Sequence, residues 1–145
     1  MADNAKIARG VEEELFSKGK LDFVDQHFDP AFKGHETLMG KYGRDQIKKH
    51  VQMYRTAFPD LSVTIDDVVA AGDKVLVRWT CKATHRGVFL GKPATGKNVM
   101  IDGLSVYNFR NGKIVEEWTH WGALRLLQDL GIAPTIPQPG APSMP

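Results

Sequence analysis

The chain has 145 residues, of which 42% are hydrophobic and 25% charged, proportions that fit a single soluble globular domain. A formal net charge of +2, without a block of lysine or arginine, disfavours nucleic acid as the main partner. The only cysteine, Cys81, excludes a disulfide within the chain. There is no signal-peptide core and no membrane-length apolar run, so we expect a cytoplasmic protein that does not enter a membrane.

The first part of the chain has the apolar periodicity of helices. Hydrophobic residues recur three or four apart over residues 4–17, over a shorter stretch at 21–28, and over residues 43–58. Pro59 ends the third of these segments, because a proline cannot continue a helix. The spacing therefore predicts three helices ahead of any sheet.

From residue 61 the pattern changes to β-branched residues with short breaks, which is typical of strands. One hairpin turns at Gly72-Asp73 and a second at Asn111-Gly112, a pair that favours tight hairpin turns. A last helix carries leucines over residues 124–130. This order predicts an α+β fold, with three N-terminal helices and a closing C-terminal helix on one face of a curved antiparallel sheet.

The turn at Asn111-Gly112 indicates which residues of the second hairpin face one another, because a two-residue loop pairs Arg110 with Lys113. Uninterrupted pairing from there would set Gly103 opposite His120. The resulting face mixes aromatic rings with polar groups, as a small-molecule pocket does. Its residues are Ile101, Gly103, Ser105, Tyr107, Glu116, Trp118 and His120.

The opposite face of this hairpin is predicted to be apolar enough to need a cover. If the helices cover the first face, a second copy of the chain is the natural cover for this one. We therefore expect a homodimer through the outer face of the sheet. The apolar residues of that face would be Leu104, Val106, Val115 and Trp121.

Four stretches in this order, "AFPDL", "THRGVFLGKPATGK", "DGLSVYNFRNGKIVEEW" and "LLQDLG", carry a family resemblance. With them the sequence resembles the SnoaL-like polyketide cyclases, or predicted ester cyclases, of the nuclear transport factor 2 superfamily. The resemblance covers about residues 4–131 and divides the chain into a cone domain, 1–131, and a Pro-rich tail, 132–145. It implies a conical pocket, commonly a dimer, and intramolecular aldol closure of a polyketide ester without metal or cofactor.

The resemblance also implies an acid/base aspartate four positions after the tryptophan of "EEW", where this chain has Gly122. Glycine cannot move a proton, so the family's mechanism does not carry over to this position.

His120 is the first catalytic candidate, because imidazole titrates near neutral pH. A histidine that only orients the ligand is the alternative. His35, at a position that faces the pocket in the family, is the second candidate, with an exposed loop residue as the alternative.

Six further residues are candidates for substrate binding. His85 matches a histidine of the ester-cyclase motif, and a satisfied interior histidine is the alternative reading. The aromatic residues of the group are explained equally well by core packing. The six are His85, Trp118, Trp79, Tyr54, Ser105 and Tyr107.

Two functions from different classes remain open. The first is a cofactor-independent cyclase, isomerase or lyase that acts on a small hydrophobic carbonyl compound. The second is a binding module of the same fold, which holds such a compound without converting it. A cone filled by its own side chains, in a purely structural subunit, is a third. We expect no metal, because the histidines lack ligand spacing, and we place His27 and His50 at the surface.

Overall fold

The computed structural model describes residues 3–136, which form four α-helices and a π-helical segment beside one sheet. Helix α1 begins after Asp3, whose carboxylate accepts a hydrogen bond from the Lys6 amide at 3.2 Å. The single helix predicted over 4–17 is instead α-helical only as far as residue 10, where a π-helical segment begins. The helical bounds are α1 Asn4–Gly10, the π-helical segment Val11–Phe16, α2 Asp22–His27, α3 Arg44–Ala57 and α4 Ala123–Asp129.

The sheet has six strands in the order β2-β1-β6-β5-β4-β3 and is curved and unclosed. Neighbouring strands are antiparallel except β1 and β6, which run parallel. The α+β class with helices beside a curved sheet is confirmed. The strands are β1 Phe28–Glu36, β2 Gly40–Gly43, β3 Ser62–Ala71, β4 Lys74–Thr84, β5 Asn98–Arg110 and β6 Lys113–Trp121.

Strands β1 and β2 were not predicted, and Pro30 explains why the first was missed. A proline inside a strand removes a backbone donor, so it argues against pairing. Here it lies between Phe28 and Lys33, where the register of β1 against β6 shifts and no regular ladder bond is needed. The chain thereby gains a parallel neighbour for β6 that the sequence pattern conceals.

The β5–β6 hairpin has the predicted turn but not the predicted register. Asn111 and Gly112 both have positive φ, and Arg110 pairs with Lys113 as expected. Phe109 then pairs with Ile114 while Asn108 pairs with Glu116, so one residue, Val115, is inserted as a β-bulge.

This bulge reverses every later side chain of β6, because strand residues alternate between faces. Ser105 lies opposite Thr119 and Gly103 opposite Trp121. The concave face of β6 therefore carries Glu117, Thr119 and Trp121. Its outer face carries Glu116, Trp118 and His120. The face assignment made for uninterrupted pairing is wrong for all of these residues.

The core lies between the helices and the concave face of the sheet. Val75 and Val77 of β4 are completely buried, as are Leu15 of the π-helical segment and Val51 of α3. Within residues 3–136, no helix combines the length and apolar character needed to cross a membrane. Residues 132–136 form neither helix nor strand, and the rest of the predicted tail lies outside the described residues.

Candidate active site

A cavity of about 110 Å³ opens between the helices and the concave face of the sheet. The π-helical segment, α3 and α4 contribute to its lining on the helical side, and all six strands contribute on the sheet side. Most of its lining is hydrocarbon or aromatic. The apolar lining residues include Val11, Leu15, Ile47, Phe58, Val63, Trp79, Ala83, Val99, Ile101 and Leu126.

Trp79 occupies its place in the wall because Gly103 has no side chain. A Cβ at Gly103 would lie 2.5 Å from the Trp79 ring and 2.9 Å from the carbonyl oxygen of His120. The indole fills the space that uninterrupted pairing would have left above an inward-facing His120. Its N–H donates to the Ser105 hydroxyl at 3.1 Å.

A chain of hydroxyl groups leads from Trp79 to a buried carboxylate. The Ser105 and Thr119 oxygens are 3.0 Å apart, and the Thr119 hydroxyl donates to Glu117 Oε1 at 2.6 Å. Because the single hydroxyl proton of Thr119 goes to Glu117, Thr119 accepts from Ser105, and the bonds run from Trp79 through Ser105 and Thr119 to Glu117. The Tyr42 hydroxyl donates to the other oxygen, Glu117 Oε2, at 3.1 Å.

Glu117 is only 7% exposed and lines the cavity. Burial raises its pKa above the usual carboxyl value, although the hydrogen bonds from Thr119 and Tyr42 act in the opposite direction. The result is a carboxylate that is held in place by two donors, yet is a stronger base than a carboxylate in water.

Glu12 is a second cavity carboxyl, contributed by the π-helical segment. The Tyr107 hydroxyl donates to its Oε1 at 2.7 Å, whereas its Oε2 is buried without a hydrogen-bond partner among the described residues. Glu12 is 4% exposed, and burial raises its pKa well above the ordinary range. Its environment favours the neutral acid.

Glu36 is a third cavity carboxyl, at the end of β1. Its carboxylate accepts from the Trp121 indole, and the Tyr54 hydroxyl lies 3.4 Å from both of its oxygens. The amides of Leu38 and Met39 donate to it at 3.1 and 2.9 Å. With these donors Glu36 resembles a structural anchor more than a free acid or base.

A sequence model for the SnoaL-like polyketide cyclases matches residues 6–130. The chain belongs to this family. The resemblance identified from the sequence is confirmed.

Solved structures with the same fold are similar along almost the whole chain. AclR from Streptomyces galilaeus, described as a candidate hydroxylase, is 26% identical, with a TM-score of 0.81 over 93% of this chain and 85% of its own. IdmH from Streptomyces antibioticus, a candidate polyketide cyclase, is 27% identical, with a TM-score of 0.78 over 89% and 99%. A candidate polyketide cyclase from Acidithiobacillus ferrooxidans is 28% identical, with a TM-score of 0.76 over 90% and 96%. No curated protein matches in sequence.

Gly122, where the family resemblance implies an aspartate, is the residue that precedes α4. A Cβ there would meet only Asp102 Oδ1, at 4.0 Å. A Cβ would therefore fit at this position, where this SnoaL-like chain has none.

The structure brings three of the predicted ligand-binding residues to the cavity, namely Tyr54, Trp79 and Ser105. Tyr107 is completely buried and contacts Glu12 rather than lining the cavity itself. His85 is also completely buried, and the Thr95 amide donates to its Nδ1 at 3.2 Å. It lies in the interior and does not line the cavity, but it is not fully satisfied, because its Nε2 is buried without a hydrogen-bond partner among the described residues.

The other three predicted site residues lie on the outer face of the sheet. His120 is exposed, and Trp118 stacks on His35 with ring centroids 5.0 Å apart and planes 10° apart. His35 Nε2 is 2.9 Å from Glu116 Oε2. The predicted inward direction of His120 and Trp118 is wrong because the Val115 bulge turns them outward.

His50, predicted at the surface, instead lines the cavity beside Tyr42, with ring centroids 4.8 Å apart. Burial lowers its pKa, which favours the neutral imidazole. Cys81 also reaches the lining, where burial raises the pKa of its thiol to about 12. A thiol with that pKa stays protonated and is a poor nucleophile.

Sequence reasoning missed the three cavity carboxyls. Glu12 gave a usable signal, since it follows Ala8 by four residues and lies on the apolar stripe of the first helix. Glu117 gave none, because its inward direction depends on a bulge that the alternating pattern does not reveal.

Proposed function

We propose that this SnoaL-like protein binds a hydrophobic carbonyl compound in the cavity and removes a proton from the carbon next to the carbonyl. Glu117, rather than a histidine, is the acid/base group. The observation that carries the proposal is a buried carboxylate, held by two hydroxyl donors, on a mostly apolar wall. Family membership supports the substrate class, since the chain matches the polyketide cyclase model over residues 6–130.

Glu117 suits proton abstraction because its raised pKa brings it closer to neutral pH than a free carboxylate. The carboxylate takes the proton, the C–H electrons form the enolate double bond, and the carbonyl electrons move onto oxygen. The enolate carbon then attacks a second carbonyl of the same molecule. A C–C bond forms, and the resulting alkoxide takes the proton back from Glu117.

The hydroxyl chain gives Glu117 a fixed orientation. Thr119 and Tyr42 each bind one oxygen of the carboxylate, and Ser105 in turn orients Thr119. A base held in this way need not reorganise during the reaction, which lowers the barrier. The apolar wall excludes water that would otherwise compete for the same carboxylate.

Proton abstraction can be tested without the natural substrate. 1-Indanone is a bicyclic ketone, and exchange of its α-hydrogens for deuterium in D2O is followed by NMR. Replacing Glu117 by Gln should lower the protein-catalysed exchange by on the order of a hundredfold or more. Glu116→Gln is the matched control, because the adjacent carboxyl lies on the outer face. Equal rates in the two variants would reject Glu117 as the base.

Gly122 supports a second candidate, a binding module that holds the ligand without converting it. The chain lacks the aspartate that the family resemblance implies, and a Cβ at this position would meet only Asp102 Oδ1, at 4.0 Å. This alternative predicts saturable binding of 1-indanone with no exchange above the rate in buffer. Gly122→Asp should then introduce exchange, and failure to do so in a folded variant would weaken the alternative.

We also propose that two copies of the chain associate through the outer face of the sheet. Met100 is 62% and Leu104 43% exposed, and Val106 and Trp118 add apolar surface on the same face. Leu104→Lys should shift the sedimentation of a dimer towards that of a monomer. A wild-type chain that sediments as a monomer at micromolar concentration would reject this proposal.

A further inference from the structure

We infer that Glu12 is a ligand-binding residue whose neutral carboxyl donates a hydrogen bond from Oε2 to the carbonyl oxygen of the bound compound. The inference rests on the proposed function for the presence of a carbonyl ligand, but it requires no turnover. It gives Glu12 and Glu117 different roles at one cavity.

The first support is the unpaired oxygen itself. Buried polar atoms are nearly always hydrogen-bonded, and those without a partner call for an explanation. Oε2 of Glu12 is buried and unpaired among the described residues, while the side chain lines the cavity. Because Glu12 lines the cavity, a ligand in the cavity is the partner that we assign to this oxygen.

The second support is the hydrogen-bond complement of each carboxyl. Both oxygens of Glu117 accept a hydrogen bond, which suits a charged carboxylate. Only Oε1 of Glu12 accepts one, from Tyr107, and no salt bridge to Glu12 occurs among the described residues. A buried charge that has neither a cation nor a donor for each oxygen is costly, so the proton stays on Oε2 and makes it a donor.

The local backbone explains how a carboxyl comes to face an apolar cavity. Glu12 lies in the π-helical segment, in which the chain takes more than 3.6 residues per turn. Val11, Glu12 and Leu15 are all buried there and all line the cavity. The segment thus presents one donor between hydrocarbon side chains.

A ligand carbonyl complements this donor. A carbonyl oxygen can only accept a hydrogen bond. It therefore pairs with Glu12 as a neutral acid, and could form no hydrogen bond with an ionised Glu12. As Glu117 removes the α-proton, negative charge develops on that same oxygen and the bond from Glu12 strengthens. Two carboxyls kept in different protonation states by their surroundings can thus act as base and as hydrogen-bond donor.

The test uses 2,2-dimethyl-1-indanone, which has no hydrogen on the carbon next to its carbonyl and so cannot react. With a 13C-labelled carbonyl, difference infrared spectroscopy reports the C=O stretch of the bound ketone. We expect a shift to lower frequency in the wild-type protein, as in a hydrogen-bonding solvent. The double variant Glu12→Leu/Tyr107→Phe removes both partners of the buried bond and should return the stretch to its frequency in cyclohexane, with roughly tenfold weaker binding.

Glu13→Gln is the matched control, since Glu13 lies in the same segment but is exposed, and it should leave both the shift and the affinity unchanged. Glu12→Gln, whose amide retains a donor, should keep most of the shift. An unshifted carbonyl in the wild-type protein, a shift that survives in the double variant, or the absence of saturable binding would each overturn the inference. Loss of 1-indanone exchange on Glu117→Gln, with no effect of Glu12 on the infrared band, would reject the role of Glu12 alone.

Discussion

Ser105 lies opposite Thr119 across the β5–β6 ladder, and their hydroxyl oxygens are 3.0 Å apart. This pairing exists only because Val115 is inserted as a bulge. It brings Glu117 into the cavity and turns His120 out of it. The position of one unpaired residue thereby decides which chemical groups a ligand can meet.

The outward direction of His120 can be checked by chemical modification. Diethyl pyrocarbonate should modify the exposed His120 in the native protein, whereas the completely buried His85 should react only after unfolding. Mass spectrometry of the digested protein resolves the two sites. Because a dimer through the outer face could itself cover His120, the decisive sample is the folded Leu104→Lys variant, and protection of His120 in its monomer would contradict the bulged register.

The contact between Gly103 and Trp79 should be sensitive to one added methyl group. A Cβ at Gly103 would overlap the indole and the backbone of β6, so Gly103→Ala should destabilise the fold by about 1–3 kcal/mol. Gly122→Ala is the control, because its Cβ would enter open space, and it should cost less than about 1 kcal/mol. Urea unfolding gives both values, and a tolerated Gly103→Ala with unchanged stability would contradict this packing.

Tyr42 should tune the basicity of Glu117. Its hydrogen bond lowers the pKa of Glu117, so Tyr42→Phe should raise that pKa further. Because the base acts when deprotonated, the rising limb of the exchange rate against pH should move to higher pH. Tyr54→Phe, whose hydroxyl contacts Glu36 instead, should leave this limb in place. A limb that moves equally in both variants would contradict the assignment.

Glu12 should make the stability of the fold depend on pH. Burial raises its folded-state pKa well above the unfolded value of about 4.5, so its stabilising contribution is complete below that pH and is lost as the pH rises towards the folded pKa. Glutamine cannot ionise. When the pH is raised from about 5 to about 8, the free energy of unfolding of Glu12→Gln should therefore increase by at least about 1 kcal/mol relative to that of wild type.

Urea unfolding at the two pH values measures this difference. Glu13→Gln, with its exposed side chain in the same segment, should show no such relative gain. If wild type and Glu12→Gln kept a constant difference in unfolding free energy across the pH range, Glu12 would not be held as a neutral acid.

The class of fold could be predicted from the sequence, since apolar periodicity and turn residues are local signals. The family was identified separately, from the resemblance of four motifs to those of the SnoaL-like cyclases. Asn111-Gly112 identified the hairpin, and the pairing of Arg110 with Lys113 followed from the loop length. Strand β1 was not predicted, because Pro30 argues against a strand. It is compatible with this one only because the pairing with β6 is irregular there, which the sequence does not show.

The site was harder to predict, because it depends on which way alternate side chains point. A two-residue turn fixes the start of a ladder, but Val115 carries no mark that distinguishes a bulged valine from a paired one. Tyr54, Trp79 and Ser105 were placed correctly at the cavity, and all three lie outside β6. Trp118 and His120, beyond the bulge, were assigned to the wrong face.

The most direct test of the central claim compares His120→Ala with Glu117→Gln in the 1-indanone exchange assay. The bulged register predicts that His120→Ala keeps the wild-type rate, while Glu117→Gln loses on the order of a hundredfold or more. Loss of exchange in His120→Ala, with exchange retained in a folded Glu117→Gln, would contradict it.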